Sequence, residues 1–195
     1  MLERDDKKLL TVAEALELDT AKLLDKTSVH VGSFEEFVRN IWSKSYEHPE
    51  WFNTWHIGLL CQDVEQAIQE KKNYCAVLPR YHLKSTVLGY AFSVWSLLKY
   101  SSPKFESTGM YLSYSLPMSQ YHIKEMKRVI GRNEQLQEWM KDKVPGSEFS
   151  FRYIINGTSA DILEGGVFSF KRGQHTNRFL VADDILRDPE KLVLD

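Results

Sequence analysis

Apolar residues recur along this chain at two periods, and the switching between them sketches a fold. Near the start, Leu16, Leu23 and Leu24 give only short apolar faces, and Thr11 with Glu14 has the spacing of a capping box. Residues 1–32 are therefore expected to form a small helical appendage, interrupted by Gly32. Ser33 with Glu36 repeats the capping-box spacing, and Phe34, Phe37, Val38, Ile41 and Trp42 follow at helical intervals. His48-Pro49 marks a turn. From Trp55 an amphipathic helix is predicted, with Trp55, Leu59, Leu60, Val64, Ala67 and Ile68 on its apolar face. Asp63, Glu65, Gln69 and Glu70 fall on the other.

Asn73 to Pro79 (NYCAVLP) is an apolar run too short for a helix and suited to a strand buried on both faces. The stretch from Thr86 to Tyr100 is apolar almost all round, which predicts a helix deep in the domain. The rhythm then repeats. A strand is predicted over Gly109–Ser115, and one long helix runs from Pro117 to Lys143. Pro145-Gly146 is a turn. Phe151 to Phe170 has short β-like runs punctuated by Asn156-Gly157 and Gly165-Gly166, a hairpin region. Arg178–Asp184 (RFLVADD) is a final strand ending in two carboxylates. Strands alternating with helices predict an α/β domain over residues 33–195, with a mainly parallel sheet and helices on both faces.

Composition narrows the class without naming a chemistry. The 195 residues are 43% hydrophobic and 27% charged, enough for one full core, and 12% aromatics argue against disorder. The net charge of −2 means that any nucleic-acid contact must come from a local basic patch. Cys61 and Cys75 are too far apart for a C-x-x-C motif and read as reduced core residues of a cytosol-like compartment. No apolar stretch approaches the ~18 residues of a membrane span, and the mixed-charge start has no signal-peptide segment. His30, His48, His122 and His175 lack metal-ligand spacing, so no zinc site is inferred. Neither a G-x-S-x-G elbow nor an H-E-x-x-H motif occurs.

The chemistry concentrates in Cys75–Thr86, CAVLPRYHLKST, where a strand-like run leads into Lys84-Ser85-Thr86 ahead of the apolar helix. A phosphate-binding loop has this order. Backbone N–H groups of a tight turn face the anion, a lysine adds charge near the outer phosphates, and a Ser or Thr hydroxyl coordinates Mg²⁺. The two glycines of the usual G-x-x-x-x-G-K-[ST] pattern are Leu78 and Leu83 here. Leu83 is the costlier change, because the turn before the lysine needs dihedrals that favour glycine. An ATPase also needs carboxylates at the end of another strand, for the magnesium shell and for the attacking water. Asp183 and Asp184 stand in that place.

LPRYHLKST, then GMYLSYS with its helix, then FKRGQHTNRFLVADDI, resemble the N-terminal ATPase domain of large terminase subunits, the DNA-packaging motors of tailed phages. The resemblance covers roughly Trp51 to Asp188. It implies ATP and Mg²⁺ as cofactors, with Pro79, Arg80, Tyr81, His82, Leu83, Lys84, Ser85 and Thr86 as the nucleotide loop. Ser85 and Asp183 would hold the magnesium, and Asp184 would take the place of the family's catalytic carboxylate. Arg80 resembles the loop arginine beside the γ-phosphate, and Arg172 matches the region that sends an arginine to a neighbouring subunit. Trp55 and His56 would line the adenine pocket, and His82 would add a side-chain donor where glycine is missing. The implied partners are double-stranded DNA, sister subunits in a homo-oligomeric ring, a portal protein and a small terminase subunit, in the host cytoplasm with no membrane. Family members continue past the acidic strand into a coupling segment and a nuclease domain, so the chain is expected to be the ATPase part alone. Two other readings share these residues: a helicase-like P-loop ATPase, and a degenerate module that docks nucleotide or DNA without turnover.

Overall fold

Among the described residues five strands form one open sheet in the order β2-β3-β4-β1-β5. They are β1 (Ser107–Ser113), β2 (Lys141–Asp142), β3 (Phe151–Ile155), β4 (Thr158–Gly166) and β5 (Leu180–Ala182). A computed structural model of the chain describes residues 29, 31–169 and 174–185. The readings made on residues 1–28 and on Arg172 lie outside the described residues.

The sheet is mixed rather than mainly parallel. β1 runs parallel to both β4 and β5, whereas β3 pairs antiparallel with β4 and β2 antiparallel with β3. The antiparallel half follows from the Asn156-Gly157 turn, where both residues take the positive φ of a tight hairpin, 51° and 82°. Gly165 and Gly166, expected to punctuate that region, instead end β4. A Cβ on Gly166 would lie 2.6 Å from the Leu116 backbone nitrogen, so the glycine allows the strand to pass close under a helix start.

The largest departure concerns residues 73–79. They form no strand; from Lys72 to Pro79 the backbone has no regular structure, and Tyr74, Cys75 and Val77 are exposed. A strand exists only through its pairing, and this segment faces β5 across a cleft of about 850 Å³ instead of joining its edge. Cys75 is therefore a surface residue rather than a core one, while Cys61 is buried and burial pushes its thiol up to about 12.

The helices are α1 (Phe34–Asn40), α2 (Trp55–Gln69), α3 (Phe92–Tyr100), α4 (Leu116–Ile130) and α5 (Glu134–Trp139). The α1 capping box forms as predicted: Ser33 Oγ accepts from the Glu36 N–H, and the Ser33 N–H donates to Glu36 Oε2. The long helix predicted over 117–143 is two helices. It breaks at Gly131–Asn133, where Asn133 Oδ1 accepts from the Leu136 N–H and caps α5. In α2 the buried stripe is Ile57, Leu60, Cys61 and Val64, rotated from the predicted face, and Trp55 and Leu59 stand exposed.

One cluster joins the five helices to alternate residues of the sheet, Tyr111, Phe151, Tyr153, Ile155, Ala160 and Ile162, and to Phe179 just before β5. Among the described residues the helices thus pack on a single face, not on both. Val31 joins the same cluster, and the Gly32 carbonyl accepts from Trp95 Nε1 and Lys99 Nζ, so residues before α1 are tied into the domain. Trp42, Trp95, Phe34 and Phe37 are among the largest fully buried side chains, each contributing about 1.5–3 kcal/mol by leaving water. No helix among the described residues is long and apolar enough to cross a membrane.

Candidate functional site

The loop before α3 makes a turn of the kind glycine usually makes, but with larger residues. Tyr81 and Leu83 both take left-handed backbone angles, φ 67° and 56°. Such angles cost an L-residue about 1–2 kcal/mol each. Leu83 recovers part of this by packing its side chain against the core, whereas Tyr81 stands almost wholly in solvent. His82 braces the turn from within: its Nδ1 lies 2.9 Å from the Arg80 carbonyl, and since the carbonyl only accepts, Nδ1 carries the proton. Pro79 and Arg80 are exposed at the start of the turn.

Lys84 is already helical, and Ser85–Ala91 continues as a wider π-helical turn before α3. Such turns are uncommon and recur at functional sites. Ser85 and Thr86 lie half-buried in its first turn, and the Leu83 carbonyl accepts from the Val87 N–H at 2.8 Å.

The acidic pair sits just past β5. The Asp183 N–H donates to the Leu112 carbonyl at 2.9 Å, which carries the strand register one step beyond the ladder. Asp184 then turns left-handed, φ 46°, and this swings its side chain away from the strand. The two carboxylates end in different surroundings. Asp183 is 6% exposed, and its Oδ2 accepts the Tyr111 hydroxyl at 2.8 Å. Burial, with the charge of Asp183 next, holds the Tyr111 hydroxyl protonated far above the usual tyrosine range. Asp184 is mostly exposed and takes Lys84 Nζ at 3.3 Å. Loop and strand end, 100 residues apart in sequence, thus meet at one corner of the cleft.

The start of α2 reaches the same loop. The His56 ring stands edge-on to His82 with centroids 5.6 Å apart, and Trp55 stands edge-on to His56 at 6.0 Å. His56 Nε2 is shielded from solvent without a hydrogen-bond partner among the described residues. Of the residues singled out in the sequence, Lys84 is brought to Asp184 and His56 to His82, while Trp55 touches its neighbour His56. Arg172 lies outside the described residues.

A magnesium ion takes hard oxygen ligands, and at phosphate sites it needs only one or two from the protein. Ser85 and Asp183 offer such oxygens. Asp183 is also a buried carboxylate that no ion pair among the described residues reaches, a costly arrangement that a cation would relieve. No group of three or more His, Cys, Asp or Glu converges as a metal cage among the described residues.

Two residues were not singled out in the sequence. Tyr111 lies on the predicted strand, but a buried tyrosine in an apolar run reads as core. Ser113, two residues on and fully buried, has an Oγ without a partner among the described residues. Period-two alternation places both on the face of β1 that looks toward the helices.

Comparison of the chain with protein-family models, with curated proteins and with solved structures gives no match.

Proposed function

We propose that residues 33–195 are the ATP-hydrolysing domain of a viral large terminase subunit, using ATP and magnesium to drive double-stranded DNA into a procapsid. The observation that carries this reading is the 3.3 Å approach of Lys84 Nζ to Asp184 Oδ1. It joins a lysine at the junction of an irregular loop and a helix to an acidic pair just past a strand, the two halves that nucleotide hydrolysis needs. On nucleotide entry Lys84 exchanges one exposed carboxylate for the more highly charged outer phosphates. Asp184, released, accepts the proton of the water that attacks the γ-phosphorus as the bond to ADP breaks. Ser85 and Asp183 would hold the magnesium, which would offset the charge that develops on the transferring phosphoryl group. Trp55 and His56, next to His82, offer aromatic surface to the adenine. Arg80 stands beside the outer phosphates, and Arg172 acts from a neighbouring subunit in a homo-oligomeric ring. A portal protein and a small terminase subunit complete the assembly in this reading.

Isothermal titration of the chain with a non-hydrolysable ATP analogue, with and without Mg²⁺, tests the site. Binding that Mg²⁺ strengthens and Lys84→Ala removes is the expected result. No nucleotide binding by the unmodified chain would overturn it. One observation favours a second reading, a docking module without turnover: the left-handed Leu83 where a glycine is usual. That reading predicts nucleotide binding with no phosphate release, even when double-stranded DNA is added.

A further inference from the structure

Asp183 is held from outside its own strand. The Tyr111 hydroxyl, on β1, donates to Asp183 Oδ2 at 2.8 Å, and among the described residues Oδ1 takes no hydrogen bond. The tyrosine is itself fixed. It is fully buried, its backbone carbonyl accepts from Ser119 Oγ at 2.8 Å, and the His122 ring packs on it with centroids 5.1 Å apart. Its hydroxyl passes over Gly89, where a Cβ would stand 2.7 Å from the tyrosine oxygen. The π-helical turn after the loop therefore leaves a gap at the place the hydroxyl needs.

On the reading of Asp183 as a magnesium ligand, we propose that Tyr111 is its positioning residue and that Gly89 is the clearance that lets it act. The hydroxyl occupies one carboxylate oxygen and fixes the carboxylate plane, leaving Oδ1 for the cation. Tyr111 is too deeply buried to touch nucleotide, so its effect passes wholly through Asp183. Hydrogen-bond partners of metal-ligating groups typically govern about 10–100-fold in metal affinity. The sequence marks neither residue, because a tyrosine in an apolar strand and a glycine in an apolar helix both read as packing.

The test is titration of Mg²⁺ against binding of a non-hydrolysable ATP analogue, in the unmodified chain and in Tyr111→Phe. Tyr111→Phe should need about tenfold or more Mg²⁺ for half-maximal binding, with analogue binding in EDTA unchanged. Gly89→Ala should give the same Mg²⁺ shift although alanine suits a helix better, and the double variant should be no worse than Tyr111→Phe. A merely structural role would weaken binding equally with and without Mg²⁺, and that result overturns the proposal. An unshifted Mg²⁺ requirement in Tyr111→Phe overturns it too, while Mg²⁺-dependent binding by the unmodified chain keeps the nucleotide site. If the unmodified chain shows no Mg²⁺-dependent binding, the nucleotide reading fails and this inference with it. Should Tyr111→Phe not fold, Gly89→Ala decides alone.

Discussion

Lys84 Nζ and Asp184 Oδ1 lie 3.3 Å apart, the one at the start of a helix and the other just past β5. Their side chains are 32% and 66% exposed, so the pair contributes little to stability, about 0–1 kcal/mol. Lys84→Ala should therefore melt close to the unmodified chain while losing nucleotide binding. Circular dichroism melting beside nucleotide titration checks both halves. A large fall in melting temperature would show that Lys84 serves the fold.

The two aspartates should separate in their effects. Asp183→Asn keeps an oxygen to accept the Tyr111 hydroxyl, so the strand end should stay folded while Mg²⁺-dependent nucleotide binding weakens. Asp184→Asn should leave binding intact and remove hydrolysis, since an amide cannot take the proton of the attacking water. Paired binding and phosphate-release assays distinguish these, and the reverse pattern would exchange the assigned roles.

Glycine in the loop should also act unequally at its two left-handed positions. At Tyr81 the side chain is in solvent, so Tyr81→Gly relieves about 1–2 kcal/mol of backbone cost against a smaller loss of chain entropy. That variant should melt at or above the unmodified chain. Leu83→Gly gains the same relief but gives up core packing, and should melt lower. Equal shifts in thermal melts would mean that the Leu83 side chain contributes nothing.

His122 gives the core a pH dependence. The Tyr90 hydroxyl and its Nδ1 share a hydrogen bond at 2.7 Å, and burial lowers the imidazole below its usual range, with Asp183, Asp184 and Glu125 pushing the other way. A base whose folded-state value is lowered binds fewer protons folded than unfolded, so stability falls as the pH drops below about 6.5. The melting temperature should fall between about pH 7 and pH 5, and less steeply in His122→Gln, which keeps a hydrogen-bonding group for Tyr90 and cannot charge. Identical slopes would remove His122 from the acid response.

Much of the helical layer was legible in the sequence, because capping and periodicity act over a few residues. Ser33 with Glu36, and Asn156 with Gly157, behave as their spacing predicts. The segment 73–79 was not legible as it stands: an apolar composition fits a strand, but only a neighbouring strand makes it one. The break at Gly131–Asn133 carried a readable signal, a glycine followed by a capping asparagine, inside a run whose periodicity continues on both sides. The rotated face of α2 had none, because Trp55 and Leu59 are as apolar as the residues that are buried. At the site, Lys84 and the aspartates could be found by residue type and order. Tyr111 could not, because its contact with Asp183 depends on the register between β1 and β5.

β5 is three residues long and among the described residues is paired on one side only, to Met110, Tyr111 and Leu112. Short elements with few contacts open at a fraction of the free energy needed to unfold a whole domain. The β1–β4 ladder, seven residues in register, will stay closed through many such openings. In hydrogen–deuterium exchange the Asp183 amide should therefore lose protection well before the amides of β4. A nucleotide that touches both Lys84 and the acidic pair would act as a clasp on this edge, and slowed exchange at Asp183 would record its arrival while the centre of the sheet registers nothing.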